Sequence, residues 1–135
     1  MTAESNSRSC ALSVIVPAYN EEDRIATMLG VYLPCLAERF GERFELIVVI
    51  NGTTDGTESV VRAFAPQFPQ LRVLVDPSPI GKGGAVMWGF NEAKGDLIGF
   101  ADADGATPPE AFLALIDDVP DAGIVIASRW IKGAT

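Results

Sequence analysis

The stretch LSVIVPAYNEE, residues 12–22, decides the fold. Residues 12–16 form a short apolar run stopped by Pro17, and an aromatic residue, an amide and two acids follow. A strand-length run that is apolar almost throughout marks a strand buried on both faces. Beyond the acids, Ile25, Met28, Leu29, Tyr32, Leu33 and Leu36 recur at helical spacing, so the unit reads strand, polar loop, helix. Pro34 falls inside that helix and is expected to kink or split it.

The same unit returns along the chain. ELIVVI (45–50) is a second buried strand, and NGTTDGT after it is turn chemistry leading into a helix with Val60, Val61 and Phe64 inward. LRVLV (71–75) is a third strand, and DPSPIGKGG opens a helix that runs to about residue 93, with its start near Gly84 and Ala85. DLIGFA (96–101) is a fourth strand, PPEAFLALIDDV a helix and AGIVIAS a fifth strand. Apolar strands alternating with helices predict an α/β fold: a mostly parallel sheet, helices on both faces in three layers, and right-handed crossovers. Ligands of such sheets sit outside the carboxyl ends of the strands. PAYNEE, NGTTDGT, GKGG and DADG follow strands one to four, so four chemically loaded loops should meet on one edge.

Composition narrows the chemistry. A net charge of −8 and 48% apolar residues fit one domain of 135 residues and argue against a partner such as nucleic acid, whose phosphates demand many cations. Cys10 and Cys35 show neither metal-ligand spacing nor disulfide-scaffold density, which points to a reducing, cytoplasmic setting. No apolar segment approaches the ~20 residues of a membrane span. Without histidine there is no Ser/His/Asp triad and no histidine metal site, leaving carboxylates, lysine, arginine, backbone amides or a bound metal.

In GFADADGATPPE (99–110), Asp102 and Asp104 stand just past a strand end, where two carboxylates one residue apart can share a hard cation such as Mg²⁺ or Mn²⁺. The alternative is a pair of solvated turn residues before a helix, with Thr107 as N-cap and Pro108 at the first helical position. IGKGGAV has the glycine freedom and, in Lys82, the cation to approach a phosphate, yet matches neither a Walker A loop nor GxGxxG; an ordinary flexible turn is the alternative. Tyr19, Asn20, Glu21 and Glu22 offer an aromatic face and acceptors to a base or ribose; the plainer reading is that Asn20 caps the helix and the acids complement its dipole, and both can hold together. Asn51 can face a ligand from its strand end, and Asp55 can cap the next helix.

In order, VIVPAYNEE, ELIVVINGTTDGT, GKGGAVMWGFNEAKGD and IGFADADGATPPE resemble the nucleotide-sugar half of family 2 glycosyltransferases, nearest the branch that makes dolichyl or polyprenyl phosphate sugars. The resemblance implies a Rossmann-like GT-A fold, a nucleoside diphosphate sugar as donor, an acceptor such as a lipid phosphate, and Mg²⁺ or Mn²⁺. It implies that Pro17, Ala18, Tyr19, Asn20 and Glu21 line the nucleoside, with Val49 through its backbone and Asn51 through its side chain at the base. Asp102, Ala103 and Asp104 would hold ribose and diphosphate, with Asp104 and Asp102 as metal ligands, while Lys82 and Arg129 neutralise the diphosphate. The implied transfer inverts the anomeric carbon, and no residue is assigned as a base. The chain departs from the pattern at Ile50 and Asn51, where an aspartate pair is frequent, and at Ala106, where the branch often has glutamine. The expected organisation is a disordered segment 1–10 and a GT-A domain 11–135 cut short of its acceptor half, with membrane association only in a longer protein.

Overall fold

The computed structural model describes residues 10–118 and 123–127. The chain runs β1 (Leu12–Ala18), α1 (Ile25–Phe40), β2 (Phe44–Asn51), α2 (Thr57–Arg62), β3 (Leu71–Asp76), α3 (Gly81–Glu92), β4 (Leu97–Ala101), α4 (Pro109–Asp117) and β5 (Gly123–Ala127). The strands form one sheet in the order β3-β2-β1-β4-β5, every pair parallel. The expected α/β architecture is therefore present, with a wholly parallel sheet.

Strand periodicity sorts the core into two layers. Leu12, Val14 and Val16 of β1 and Leu46, Val48 and Ile50 of β2 point to one face, where they pack with α1 and with Val61 and Phe112 from α2 and α4. Ile15, Ile47 and Val49 point to the other and meet Ala85 of α3. The helix comes unusually close because residue 89 is glycine: a Cβ there would lie 2.6 Å from Ile15 Cγ2 and 3.3 Å from Val49 Cγ2. Any larger side chain would push α3 off the sheet.

Three local expectations change. β1 does not stop at Pro17 but reaches Ala18, because it pairs with β2 as far as Ala18↔Ile50 and with β4 only as far as Ile15↔Phe100. Past Ile15 one side of β1 has no partner strand, and a missing proline N–H is tolerated there. Pro34 does not split α1, a single helix of 16 residues. Pro34 and Gly30, whose carbonyl would have received the lost hydrogen bond, are both exposed, so water can satisfy that oxygen. α3 starts at Gly81, ahead of the expected Gly84, and so carries Lys82 in its first turn.

A polar cluster anchors α3 from below, at the amino ends of the strands. Glu45, buried at the start of β2, accepts hydrogen bonds from Ser13 Oγ at 2.6 Å, the Lys94 N–H at 2.6 Å and Arg72 Nη1 at 2.9 Å. Arg72 also donates to the Glu92 backbone oxygen and pairs with the Glu92 carboxylate, both at 3.0 Å, closing the carboxyl end of α3 where a cation suits the helix dipole. Burial alone would raise the Glu45 carboxyl, but the hydrogen bonds from Ser13, Lys94 and Arg72, with the Arg72 charge, hold it below its ordinary value.

On the opposite face Tyr32 of α1 reaches across to the loop before α4. Its hydroxyl donates to the Thr107 backbone oxygen at 2.6 Å and its ring meets Phe112 edge-on, centroids 5.7 Å apart. Burial, then the nearby Asp102 charge, pushes the phenol well above its usual range, so it stays a donor.

Two outcomes follow for stability. A depressed carboxyl stabilises the fold above its unfolded value of about 4.3, and that contribution disappears as pH falls through the folded value. Glu45→Gln should therefore cost about 2 kcal/mol at neutral pH, since it strands part of Arg72, and should flatten the loss of stability between neutral and acid pH. Urea denaturation across that range reads both effects. Tyr32→Phe should cost about 1 kcal/mol by the same measurement, the worth of one hydrogen bond with the ring packing kept.

Candidate functional site

The strand order reverses at β1: β2 and β3 lie on one side of it, β4 and β5 on the other. Parallel crossovers put every strand's carboxyl end on one edge, and the early end of the β1–β4 register opens a crevice there. Residues 17–22 leave one wall of that crevice and residues 102–107 the other.

The loop after β1 is held by the loop after β2. Asn20 takes a left-handed backbone, φ +51°, which asparagine tolerates better than most residues. Its Oδ1 accepts from the Thr54 N–H at 2.9 Å, and its own N–H donates to Thr53 Oγ1 at 3.3 Å. Asn20 is thus a clasp between loops, not the cap expected for α1, whose N-cap position is Arg24 with no side-chain cap bond. Thr57 Oγ1 accepts from the Glu21 N–H at 2.9 Å, Glu22 Oε1 from the Gly56 N–H at 3.1 Å, and Asp55 Oδ2 from the Glu22 N–H at 3.3 Å. Asp55 Oδ1 also accepts from the Thr57 N–H at 3.0 Å, an Asx turn just ahead of α2 and not the expected cap, since the N-cap position is Gly56 with no side-chain cap bond. Desolvation pushes the Asp55 carboxyl up, and the hydrogen bonds from Thr57 and Glu22 more than reverse it, leaving it below its ordinary value.

These clasps leave specific groups at the crevice. Tyr19 is exposed, 56% of its surface open, so its ring is available to stack. Glu21 is partly buried, and its Oε1 is paired with Arg24 Nη2 at 2.6 Å. Asn51 is buried at the end of β2, and its Nδ2 donates to the Ala18 carbonyl at 3.4 Å, tying two strand ends together. Val49 lies two residues lower, fully buried and paired in register with Pro17 and Leu74. Pro17 is half-buried and Ala18 buried, at the end of β1.

On the other wall, Ala103 is buried in the core while Asp102 and Asp104 on either side of it remain partly open. The small apolar residue pins the segment and the acids keep access to the crevice. Gly105, at φ +72°, turns the chain, its N–H donating to the Asp102 carbonyl at 3.2 Å. Asp104 Oδ1 accepts from the Ala106 N–H at 3.0 Å. Lys82 reaches over from α3 and places Nζ 2.9 Å from Asp102 Oδ1. The helix start is one residue later than expected: Pro109 is the first helical residue and Pro108 the N-cap. Two adjacent prolines explain the shift, because the residue before a proline is driven to extended backbone, and Pro108 has ψ 153°. Thr107 makes no side-chain cap bond there.

The structure therefore brings Tyr19, Asn20, Glu21, Asn51, Lys82, Asp102 and Asp104 to one edge, whereas Arg129 lies outside the described residues, as does most of the segment 1–10. Tyr32 and Thr57 have no place in the sequence-based site. Tyr32 reads from the sequence only as core-facing, and nothing in NGTTDGT distinguishes the threonine that reaches the Glu21 N–H. Among the described residues no three acidic or cysteine side chains form a ready-made metal cage. Two carboxylates with oxygen-only chemistry do fit Mg²⁺ or Mn²⁺, which take part of their shell from water and diphosphate. A cavity of about 400 Å³ lies at the amino ends of the strands and is lined by Cys10, Phe44, Glu45 and Arg72 among others.

Residues 13–134 match the family described as Glycosyl transferase family 2. The dolichyl-phosphate beta-glucosyltransferase of Drosophila melanogaster is 41% identical over 137 residues, covering 92% of this chain and 42% of that protein. The dolichol-phosphate mannosyltransferase of Saccharomyces cerevisiae is 33% identical over 125 residues, covering 93% of this chain and 47% of that protein. The chain thus spans less than half the length of these relatives. Among solved structures, the mannosyltransferase PcManGT from Pyrobaculum calidifontis in complex with GDP-Man and Mn²⁺ is 32% identical with a TM-score of 0.62, over 69% of this chain and 27% of that one. S. aureus TarS in complex with UDP-GlcNAc is 30% identical with a TM-score of 0.62, over 80% of this chain and 31% of that one. With the family match running from β1 past β5 and the same parallel fold beneath it, the chain belongs to glycosyl transferase family 2.

Proposed function

We propose that this chain is the donor-binding part of a glycosyltransferase that takes a sugar from a nucleoside diphosphate sugar, UDP- or GDP-linked, and delivers it to a polyprenyl or dolichyl phosphate. The observation that carries the proposal is the placement of Asp102 and Asp104 at the reversal of strand order, with Lys82 at 2.9 Å across the crevice. The names of the relatives, dolichyl-phosphate glucosyltransferases and a dolichol-phosphate mannosyltransferase, support the acceptor class. The solved relatives bound to GDP-Man and UDP-GlcNAc support the donor class, and the Mn²⁺ in one of them supports the metal.

In this reading residues 11–135 are the donor domain. Tyr19 stacks on the nucleoside, and the Glu21 carboxylate accepts one of its N–H groups. Asn20 and Asn51 keep the strand ends and loops in place around it. Asp104 and Asp102 hold Mg²⁺ or Mn²⁺, and Lys82 and Arg129 add positive charge at the diphosphate. When bound, the metal stabilises charge on the departing diphosphate. A lipid phosphate acceptor is already anionic, so direct inverting displacement needs no general base. The cytoplasmic setting belongs to the same proposal and rests on Cys10 and Cys35, both free thiols.

Titration calorimetry with UDP, GDP and their sugars, with and without Mn²⁺, tests the donor site, and a polyprenyl phosphate transfer assay tests turnover. Metal-dependent binding is expected; binding with no transfer would reduce the role of this chain to donor binding. Asp104→Asn should lower Mn²⁺-dependent nucleotide affinity at least about tenfold, roughly 1.4 kcal/mol. Equal affinities for the two proteins would refute the metal role.

A further inference from the structure

We infer that Lys82 is a stand-in cation for the metal, and that its ion pair with Asp102 must exchange before the donor site is complete. The inference rests on the donor-site reading above and concerns the order in which charges arrive. The Asp102 side chain is only 16% exposed, and it adds its negative charge to the surroundings of the buried Tyr32 hydroxyl. A carboxylate so enclosed is costly without a positive partner. The partner in the structure is Lys82 Nζ, at 2.9 Å from Oδ1.

Lys82 is badly placed for the stability of its own helix. It sits in the first turn of α3, where the helix dipole disfavours cations, and that turn contains no acidic residue to compensate. Its side chain is 59% exposed on a flexible stem, so it can swing away without disturbing the core. A divalent ion on the Asp102 oxygens would meet the ammonium at close range and repel it. A diphosphate beside α3 offers Lys82 a new anion and suits the helix amino terminus as well. The exchange therefore makes metal and diphosphate arrive together: alone, the metal must evict Lys82 into solvent, whereas with the diphosphate the lysine moves from one anion to another. Such coupling is reciprocal.

The test uses Mn²⁺ alone as probe, read by the paramagnetic resonance of free Mn²⁺ and by thermal shift. Lys82→Met should bind Mn²⁺ in the absence of nucleotide about tenfold more tightly than the wild type and gain more melting temperature from it. The same variant should bind UDP or GDP with Mn²⁺ more weakly, while Lys82→Arg keeps the wild-type pattern. Lys82→Gln, which retains a polar partner for Asp102, serves if the methionine variant is poorly folded. If the wild type binds Mn²⁺-nucleotide but neither neutral variant gains affinity for Mn²⁺ alone, the exchange is overturned and the donor site stands. If the wild type binds neither nucleotide nor Mn²⁺, the donor-site reading falls, and the exchange with it.

Discussion

Everything at the crevice depends on how helix α3 is seated. Gly89 brings the helix backbone against Ile15 and Val49 with no side chain between, which sets its height above the sheet. Arg72, itself held by Glu45, grips the carboxyl end at Glu92. Close packing at Ala85 and Gly89 and a charged clasp at one end leave the other end little freedom. That other end is the turn that carries Lys82 to Asp102.

The two ends of the sheet divide their labour by chemistry. At the amino ends the charges of Glu45, Arg72 and Glu92 are spent on one another and on backbone groups, so they stabilise and orient. At the carboxyl ends the polar groups of residues 20–22 and 53–57 clasp two loops, while Tyr19, Asp102 and Asp104 stay partly open at the crevice. A satisfied network makes rigid walls, and partly satisfied groups between them are what a ligand can complete.

The DAD segment shows why neither reading of it from the sequence was complete. As a turn before a helix it behaves as expected, with Gly105 reversing the chain and Asp104 bonding the Ala106 N–H. As a site it gains from Ala103, which is buried and so fixes which way both acids face. The proline pair then moves the helix start one residue along, and Tyr32 holds the Thr107 carbonyl from a helix some seventy residues earlier in sequence.

The sequence by itself determined the succession of strands and helices, the parallel sheet and the edge on which the loaded loops meet. Those follow from local apolar periodicity and from the right-handed connection of parallel strands, both legible without coordinates. It also exposed Asp102, Asp104 and Tyr19, because residues of those types stand out just after apolar runs, and Lys82, the one cation of a glycine-rich loop. Only the tertiary structure decided that Asn20 clasps a neighbouring loop instead of capping its helix, that β1 outlasts Pro17, and that α1 passes intact through Pro34. It alone paired Lys82 with Asp102 and Tyr32 with Thr107. Each of these turns on a partner more than ten residues away or on exposure to water, and neither quantity is carried by the neighbours of a residue in sequence.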